Sequence, residues 1–359
     1  MPKPLHLGFL YAPQSDHQTH DESFDPLNPA HLTALAQNLD DAGFTFLLVD
    51  DSVGHADTAC GEAFTTASFL ATKTRQIGLI ASANTSYVEP YNVTRLAASL
   101  DHVTRGRAGW AVLTGAADPA GANFGQAGET PEAHYERAAE IVDIARRLWD
   151  SWEDNAFVRN KQSGVFVDGA RIHAIDHSSH RFSVKGPLNV ARPPQGQVIL
   201  AHRVVDSRSA GFAGRHADVV ILASERAEII EPLRDIVLSS ARASHRERHH
   251  IVLFAEVRPD GTARAPDTLV TGHAGGTPSD IADRIERLAD AVGLDGLVLA
   301  PDAVRSSFNT FSRHVIPELA RRQRLRPTRE PTTLRERLGL ERPRNVFETS
   351  ATQPASTAA

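Results

Sequence analysis

The sequence predicts an α/β chain closed into one (β/α)8 barrel, a TIM barrel, with long insertions after strands 1, 4 and 7. Three observations predict it. Eight short runs are apolar at consecutive positions: Leu5–Tyr11, Thr45–Asp50, Ile77–Ala83, Ala108–Thr114, Val198–His202, Asp218–Ala223, Ile251–Val257 and Gly296–Ala300. Parallel strands covered on both faces read this way, because neither face meets water. Longer amphipathic segments lie between them, and strict strand–helix alternation argues for a parallel sheet. The count of eight argues for closure. An open doubly wound sheet is the alternative. It would need a glycine-rich phosphate loop after the first strand, where the chain instead reads Tyr11-Ala12-Pro13-Gln14-Ser15.

The helices carry start and stop signals. Asn28-Pro29 places an N-cap before a first-position proline, and Gly43 supplies a left-handed stop after Ala42. Helices are expected next at Glu62–Thr72, Tyr91–Val103, Pro131–Trp152, Asp206–His216, Ala227–His245, Ser279–Val292 and Val304–Arg322, the seventh closed by Gly293. Trp149 and Trp152, three residues apart, read as helix packing. Three segments are too long for plain connections: Ala12–Leu27, Glu153–Gly196 and Arg258–Thr277. The second holds Val165-Phe166-Val167 and Arg181-Phe182-Ser183-Val184, expected to pair as two strands outside the barrel. Such insertions are expected to cover the mouth. One domain is expected over 1–345, with 153–196 as its insertion. A short helix within Thr332–Leu340 and a disordered tail over 346–359 follow.

Composition excludes several classes. The 359 residues carry a formal net charge of -6, so no basic excess marks a nucleic-acid binder. The basic stretches Arg242–His250 and Arg321–Arg326 sit at helix ends, where cations are favoured. Cys60 is the single cysteine, which excludes an intrachain disulfide, a CxxC pair and a cysteine-rich zinc site. A basic start followed by a long apolar run is missing, and no run approaches a membrane span; both point to a cytoplasmic chain without membrane partners.

In a barrel of this kind, chemistry collects at the C-terminal ends of the strands. Those ends hold Tyr11, Asp50-Asp51, Asn84-Thr85-Ser86, Thr114, His202-Arg203, Ser224, Glu256 and Asp302. His173 and His177 have i,i+4 spacing but no HExxH context, so no metal site is expected. Ser207 is not in a GxSxG elbow, so a hydrolase triad has no local support. What remains is a pocket of hydroxyls, amides and a carboxylate pair, suited to a large polar-edged ligand. His17 and His20 lie in the first long loop, where a catalytic histidine would be useful. Glu256 is a further candidate for the chemistry; buried, it needs a partner or a raised pKa.

A series of motifs then narrows the reading. Glu89-Pro90-Tyr91-Asn92-Val93-Thr94-Arg95-Leu96-Ala97-Ala98-Ser99-Leu100-Asp101-His102 is followed by Gly106-Arg107-Ala108-Gly109-Trp110 and by Asn123-Phe124-Gly125. Leu148-Trp149-Asp150-Ser151-Trp152-Glu153-Asp154, Val184-Lys185-Gly186-Pro187-Leu188-Asn189, Arg192-Pro193-Pro194-Gln195-Gly196 and Thr332-Thr333-Leu334-Arg335-Glu336-Arg337-Leu338-Gly339-Leu340 continue it. Together they resemble the large oxygenase component of the nitrilotriacetate, EDTA and dibenzothiophene-sulfone monooxygenases, within the bacterial luciferase-like superfamily. The resemblance implies a barrel that uses FMN as FMNH2, delivered by a separate NAD(P)H:flavin reductase. Oxygen would add to the reduced flavin, and the peroxyflavin would place one oxygen atom in a small organic substrate. The cofactor supplies that chemistry, and the protein supplies orientation, dryness and electrostatics. A homodimer is the expected assembly.

By position, the resemblance assigns Asp51, Asn84, Thr85, Thr114 and Tyr135 to the flavin, and Arg203, Asp206 and Ser207 to its phosphate end, at a helix start. Helix capping by Asp51 and core packing of Tyr135 are the alternatives from the residues themselves. Three positions depart from the pattern. Trp110-Ala111 replaces Trp-Asn; His202-Arg203-Val204 replaces Gln-Ala-Gly; Asp206-Ser207-Arg208-Ser209 replaces a Ser-x-x-Gly turn. An aspartate beside a phosphate is unfavourable unless it caps the helix and turns away, and Arg203 or Arg208 could compensate. These departures leave two alternatives: a degenerate barrel with weak or no flavin binding, and a flavin-independent enzyme whose His202-Arg203 pair binds an anionic substrate.

Overall fold

The computed structural model describes residues 3–12, 24–51, 59–115, 119–125, 129–224, 226–257, 277–301, 309, 311–325 and 332–348. Eight parallel strands close a barrel: β1 (His6–Tyr11), β2 (Phe46–Val49), β3 (Gly78–Asn84), β4 (Ala108–Leu113), β7 (Ile199–Val204), β8 (Val219–Leu222), β9 (Val252–Val257) and β10 (Gly296–Leu299). The ring closes where His6 to Phe9 register against Gly296 to Leu299. Every expected strand is present, with ends shifted by a residue or two.

The helices alternate with the strands as α1 (Pro29–Asp41), α2 (Ala63–Ala71), α3 (Pro90–Thr104), α4 (Pro131–Asp150), α5 (Ser207–His216), α6 (Ala227–Ala243) and α7 (Pro278–Val292). The local signals act as expected. Asn28 accepts the Ala30 N–H, and Gly43 sits at φ 79°. Thr277 and Asp280 cap α7 reciprocally, and Gly293 ends it in the left-handed region. Beyond β10, a π turn (Phe311–Val315) leads into α8 (Ile316–Arg321). The basic stretches close on the protein itself: Arg246 donates to Gly214 and Ala217 carbonyls, and Arg322 pairs with Glu318 and Glu286.

Strand alternation sorts the side chains into two cores. One set faces the helices. The other fills the barrel: Phe46, Leu48, Ile80, Ala111, Ile199, Ala201, Val219, Ile221, Val252, Phe254 and Val298. Large rings fit only because glycine faces them. A Cβ on Gly8 would lie 2.4 Å from the Phe46 ring, and one on Gly296 2.5 Å from that of Phe254. This alternation of absent and bulky side chains closes the interior at close-packed density.

The N-terminal end is plugged. A short helix, α9 (Leu334–Arg337), capped reciprocally by Thr333 and Glu336, drives Leu334, with Leu338 and Leu340 beyond it, into the barrel core. Arg335 is buried beside it, donating to the Asp218 carboxylate and the Gln197 carbonyl.

The segment 153–196 corrects one expectation. It follows α4 rather than a strand, so it starts at the N-terminal end and packs along the outside of α3 and α4. Gln195 donates to Asp101 at the end of α3; His177 meets Glu140 on α4; Arg137 lies over the Phe182 ring. It is not placed over the mouth. Its strand pairing also differs. β5 (His177–Ser178) pairs antiparallel with β6 (Ser183–Val184), while Val167 bridges Phe157. The run 165–167 therefore closes a local hairpin rather than reaching 181–184. Residues 346–348, expected in the tail, pack on this segment: Phe347 stacks on His173, and Glu348 accepts the Asp154 N–H.

Candidate active site

Above the last apolar layer, the inward positions of the strands turn polar. Two residues beyond Leu48 stands Asp50; beyond Ile80, Ser82 and then Asn84; beyond Ala201, Arg203; beyond Phe254, Glu256. All are at the C-terminal mouth. The apolar layer beneath them is almost fully buried, so this polar ring has a dry floor.

Two groups organise the ring. Arg203 donates through Nε to Glu256 Oε2 at 2.6 Å and through Nη2 to Oε1 at 3.0 Å. This two-point pair spans one intervening strand, β8, between β7 and β9. Glu256 is buried, whereas the Arg203 side chain keeps 41% exposure. A charge-assisted, bidentate pair fixes the guanidinium plane. Glu256 is thus partnered. The phosphate-compensating role expected of Arg203 is not what the geometry shows: its donors face Glu256.

The second group is the carboxylate pair. Ser82 Oγ lies 3.1 Å from Asp50 Oδ1 and 3.3 Å from Asp51 Oδ1. Asp51 Oδ2 accepts the Ala63 N–H at the first turn of α2. Burial, and then the neighbouring Asp50, raise the Asp51 carboxyl above its usual range, against the pull of the Ala63 hydrogen bond. Asp51 therefore caps a helix and also edges the mouth; the two readings of it are compatible.

Asn84 points inward and accepts the Ser86 N–H. Thr85 does not join it. Fully buried, it donates to the Leu113 carbonyl, on the opposite face of the strand. Ala111 completes an apolar layer where the resemblance implies an asparagine.

Around the rim a second cluster forms. The Tyr135 hydroxyl is within hydrogen-bonding reach of Thr114 and Ser209, and its ring packs on His202 and Phe212. The Tyr135 ring is packed in the core, as the alternative from the residues themselves expects, and its hydroxyl is at the rim. Asp206 is the N-cap of α5 and is held by Ser209, while Ser207 occupies the exposed first position. Arg208 pairs with Glu132. Burial works against ionisation of Asp206, but the Ser209 hydrogen bonds hold its carboxyl below its usual value.

His202 is corrected as a partner of Arg203. Adjacent strand residues face opposite ways, so His202 lies outside the barrel. Its Nδ1 donates to the Val112 carbonyl at 2.8 Å, and Nε2 is buried without a partner. Burial lowers its pKa to about 4. Tyr11 likewise faces the helices, against Phe24. His17, His20 and Asp302 lie outside the described residues. No group of metal-ligating side chains occurs among the described residues, and no helix there is long and apolar enough to cross a membrane. Ser82 is the residue of this ring that the sequence reading did not single out. The signal was available: it lies two positions from the inward Ile80.

A flavin fits this site in part. Its ring would meet a dry floor and a ring of donors and acceptors. A phosphate at the start of α5 would meet the Asp206 carboxylate.

Comparison with known proteins identifies the family. The family model of luciferase-like monooxygenases matches residues 5–259. N-acetyl-S-(2-succino)cysteine monooxygenase from Bacillus subtilis (strain 168) is 31% identical, over 80% of this chain and 82% of that protein. Nitrilotriacetate monooxygenase component A from Aminobacter aminovorans is 32% identical, over 79% and 80%. Among solved structures, a riboflavin lyase with modified FMN and substrate riboflavin superposes with a TM-score of 0.83 at 26% identity, covering 95% of this chain and 97% of its own. A long-chain alkane monooxygenase shares the fold, with a TM-score of 0.82 at 23% identity over 94% and 96%. With the matched model covering the strands that build the mouth, the chain belongs to the luciferase-like monooxygenase family.

Proposed function

We propose that this chain is the oxygenase component of a two-component monooxygenase. It would take reduced flavin from a separate NAD(P)H:flavin reductase and place one oxygen atom from O2 in a small organic substrate. The observation that carries the reading is the inward polar ring of Asp50, Asp51, Ser82, Asn84, Arg203 and Glu256 above a dry apolar floor.

Reduced flavin, when bound, supplies the electrons that activate O2. The residues of the chain do the rest. Ser82 and Asn84 offer neutral hydrogen-bonding groups to a polar ring edge. Glu256 holds Arg203 in one orientation across the mouth, so a substrate group meets a preset cation. The layer of Leu48, Ile80, Ala111, Ile221 and Phe254 keeps water from entering below. FMN is the form the resemblance implies, and a homodimer is the proposed assembly.

The test is anaerobic titration with reduced flavin, followed by mixing with O2 and a panel of small organic acids and sulfur compounds, the kinds of substrate for which its relatives are named. Saturable binding and an oxygenated product are expected. Oxygen consumption identical to that of free reduced flavin, with no product from any substrate, would refute the proposal.

A further inference from the structure

The start of α5 is closed by the chain's own carboxylate. Asp206 Oδ1 accepts the Ser209 N–H at 2.7 Å and lies 2.7 Å from its Oγ. Ser209 Oγ in turn accepts the backbone N–H groups of Asp206, at 2.9 Å, and Val205, at 3.0 Å. A helix start attracts phosphate because its first N–H groups are unsatisfied and carry the positive end of the dipole. Here a carboxylate of the chain already sits at that start and takes the N–H of the third position. Both nearby arginines already pair with a carboxylate. Arg208 is bonded to Glu132 and stands 3.7 Å from Asp206, and Arg203 is bonded to Glu256.

A phosphate arriving at this rim would stand against the like charge of Asp206, which occupies the cap. A primary hydroxyl has the opposite preference, since it donates a hydrogen bond to a carboxylate. The other groups around this point, Thr114, Tyr135 and Ser207, are neutral hydroxyls. Granting the proposed reading that the mouth binds flavin, we infer that Asp206, locked by Ser209, selects against a terminal phosphate, and that the flavin this chain takes is the phosphate-free riboflavin form.

The test compares riboflavin and FMN, oxidised and anaerobically reduced, by fluorescence and absorbance titration of the full chain and of two variants. Asp206→Ser removes the charge and reopens the cap. Asp206→Asn removes the charge but keeps a strong N-cap, which guards against loss of folding. The wild-type chain should bind riboflavin about tenfold more tightly than FMN or better. Both variants should shift the ratio towards FMN by about tenfold. Tighter binding of FMN than riboflavin by the wild type would overturn the inference. So would a ratio unchanged in both variants. Failure of both flavins to bind the wild type and Asp206→Ser alike would overturn the flavin reading itself, and this inference with it.

Discussion

The two ends of the barrel use the same strand alternation for opposite purposes. At the N-terminal end the buried charged groups close on the protein itself. Asp101 accepts from the Ala108 N–H and from Gln195; Arg107 donates to the Thr104 and Ile77 carbonyls; Arg335 spans Asp218 and Gln197; α9 plugs the opening with leucine. At the C-terminal end the inward groups are held in place but left open, and the half-exposed Arg203 is the clearest case. The difference teaches where stability and function are separated. Substitutions below should cost folding and spare binding. Substitutions above should do the reverse.

The largest effect is expected below. Arg335→Ala would leave Asp218 buried beside a lost partner, and urea denaturation should show a loss of about 3–5 kcal/mol. Flavin affinity of the folded fraction should not change; a parallel loss of affinity would break the comparison. Glu256→Gln should do the opposite. Denaturation should shift by about 1 kcal/mol because Arg203 is half-exposed, while substrate turnover falls at least about tenfold as the guanidinium loses its fixed plane. Equal effects on both would place the pair among the structural bonds.

The third prediction concerns pH. Burial lowers His202 to about 4 and, with neighbouring arginines, His216 to about 3. Each is depressed below its unfolded value, so each contributes stability that is present above about pH 6.5 and lost as pH falls towards its folded pKa. The slope approaches about 1.4 kcal/mol per pH unit for each histidine. Asp101, raised to about 6 by burial, acts in the opposite sense: its native form gains protons, and relative stability, on acidification between about 6 and 4. The diagnostic is therefore the difference between wild type and His202→Gln, whose stability should fall less steeply from pH 7 to pH 5. An unaltered slope would contradict the buried, neutral assignment. The smallest effect separates adjacent residues. Thr85→Val should cost about 1 kcal/mol from the lost hydrogen bond to Leu113 and leave flavin affinity intact, whereas Asn84→Ala should weaken flavin.

Much of this was legible from the chain because its cause is local. Strand and helix boundaries follow period and caps, and those signals lie within a few residues. That His202 and Arg203 point apart was equally legible, since the alternation of a strand requires it. The Arg203–Glu256 pair was not, because 53 residues of sequence separate its halves and only barrel closure brings them together. The 153–196 segment misled for a related reason. Short β-rich runs do not carry the identity of their partners, and Val165 to Val167 pairs back on its own hairpin. The self-capping of Asp206 was foreshadowed by its spacing from Ser209, but whether its carboxylate turned onto the helix depended on Ser209 being buried beneath it.

On the proposed function, the mouth of this barrel binds reduced flavin and the plugged end takes no part. One measurement tests it most directly: anaerobic titration with reduced riboflavin of the wild type, of Glu256→Gln and Asn84→Ala at the mouth, and of Arg335→Ala at the plug. The account predicts saturable binding by the wild type and Arg335→Ala, and weaker binding by the two mouth variants. No saturable binding by the wild type up to about millimolar, a standard free energy weaker than about -4 kcal/mol, or loss of binding in Arg335→Ala alone, would contradict it.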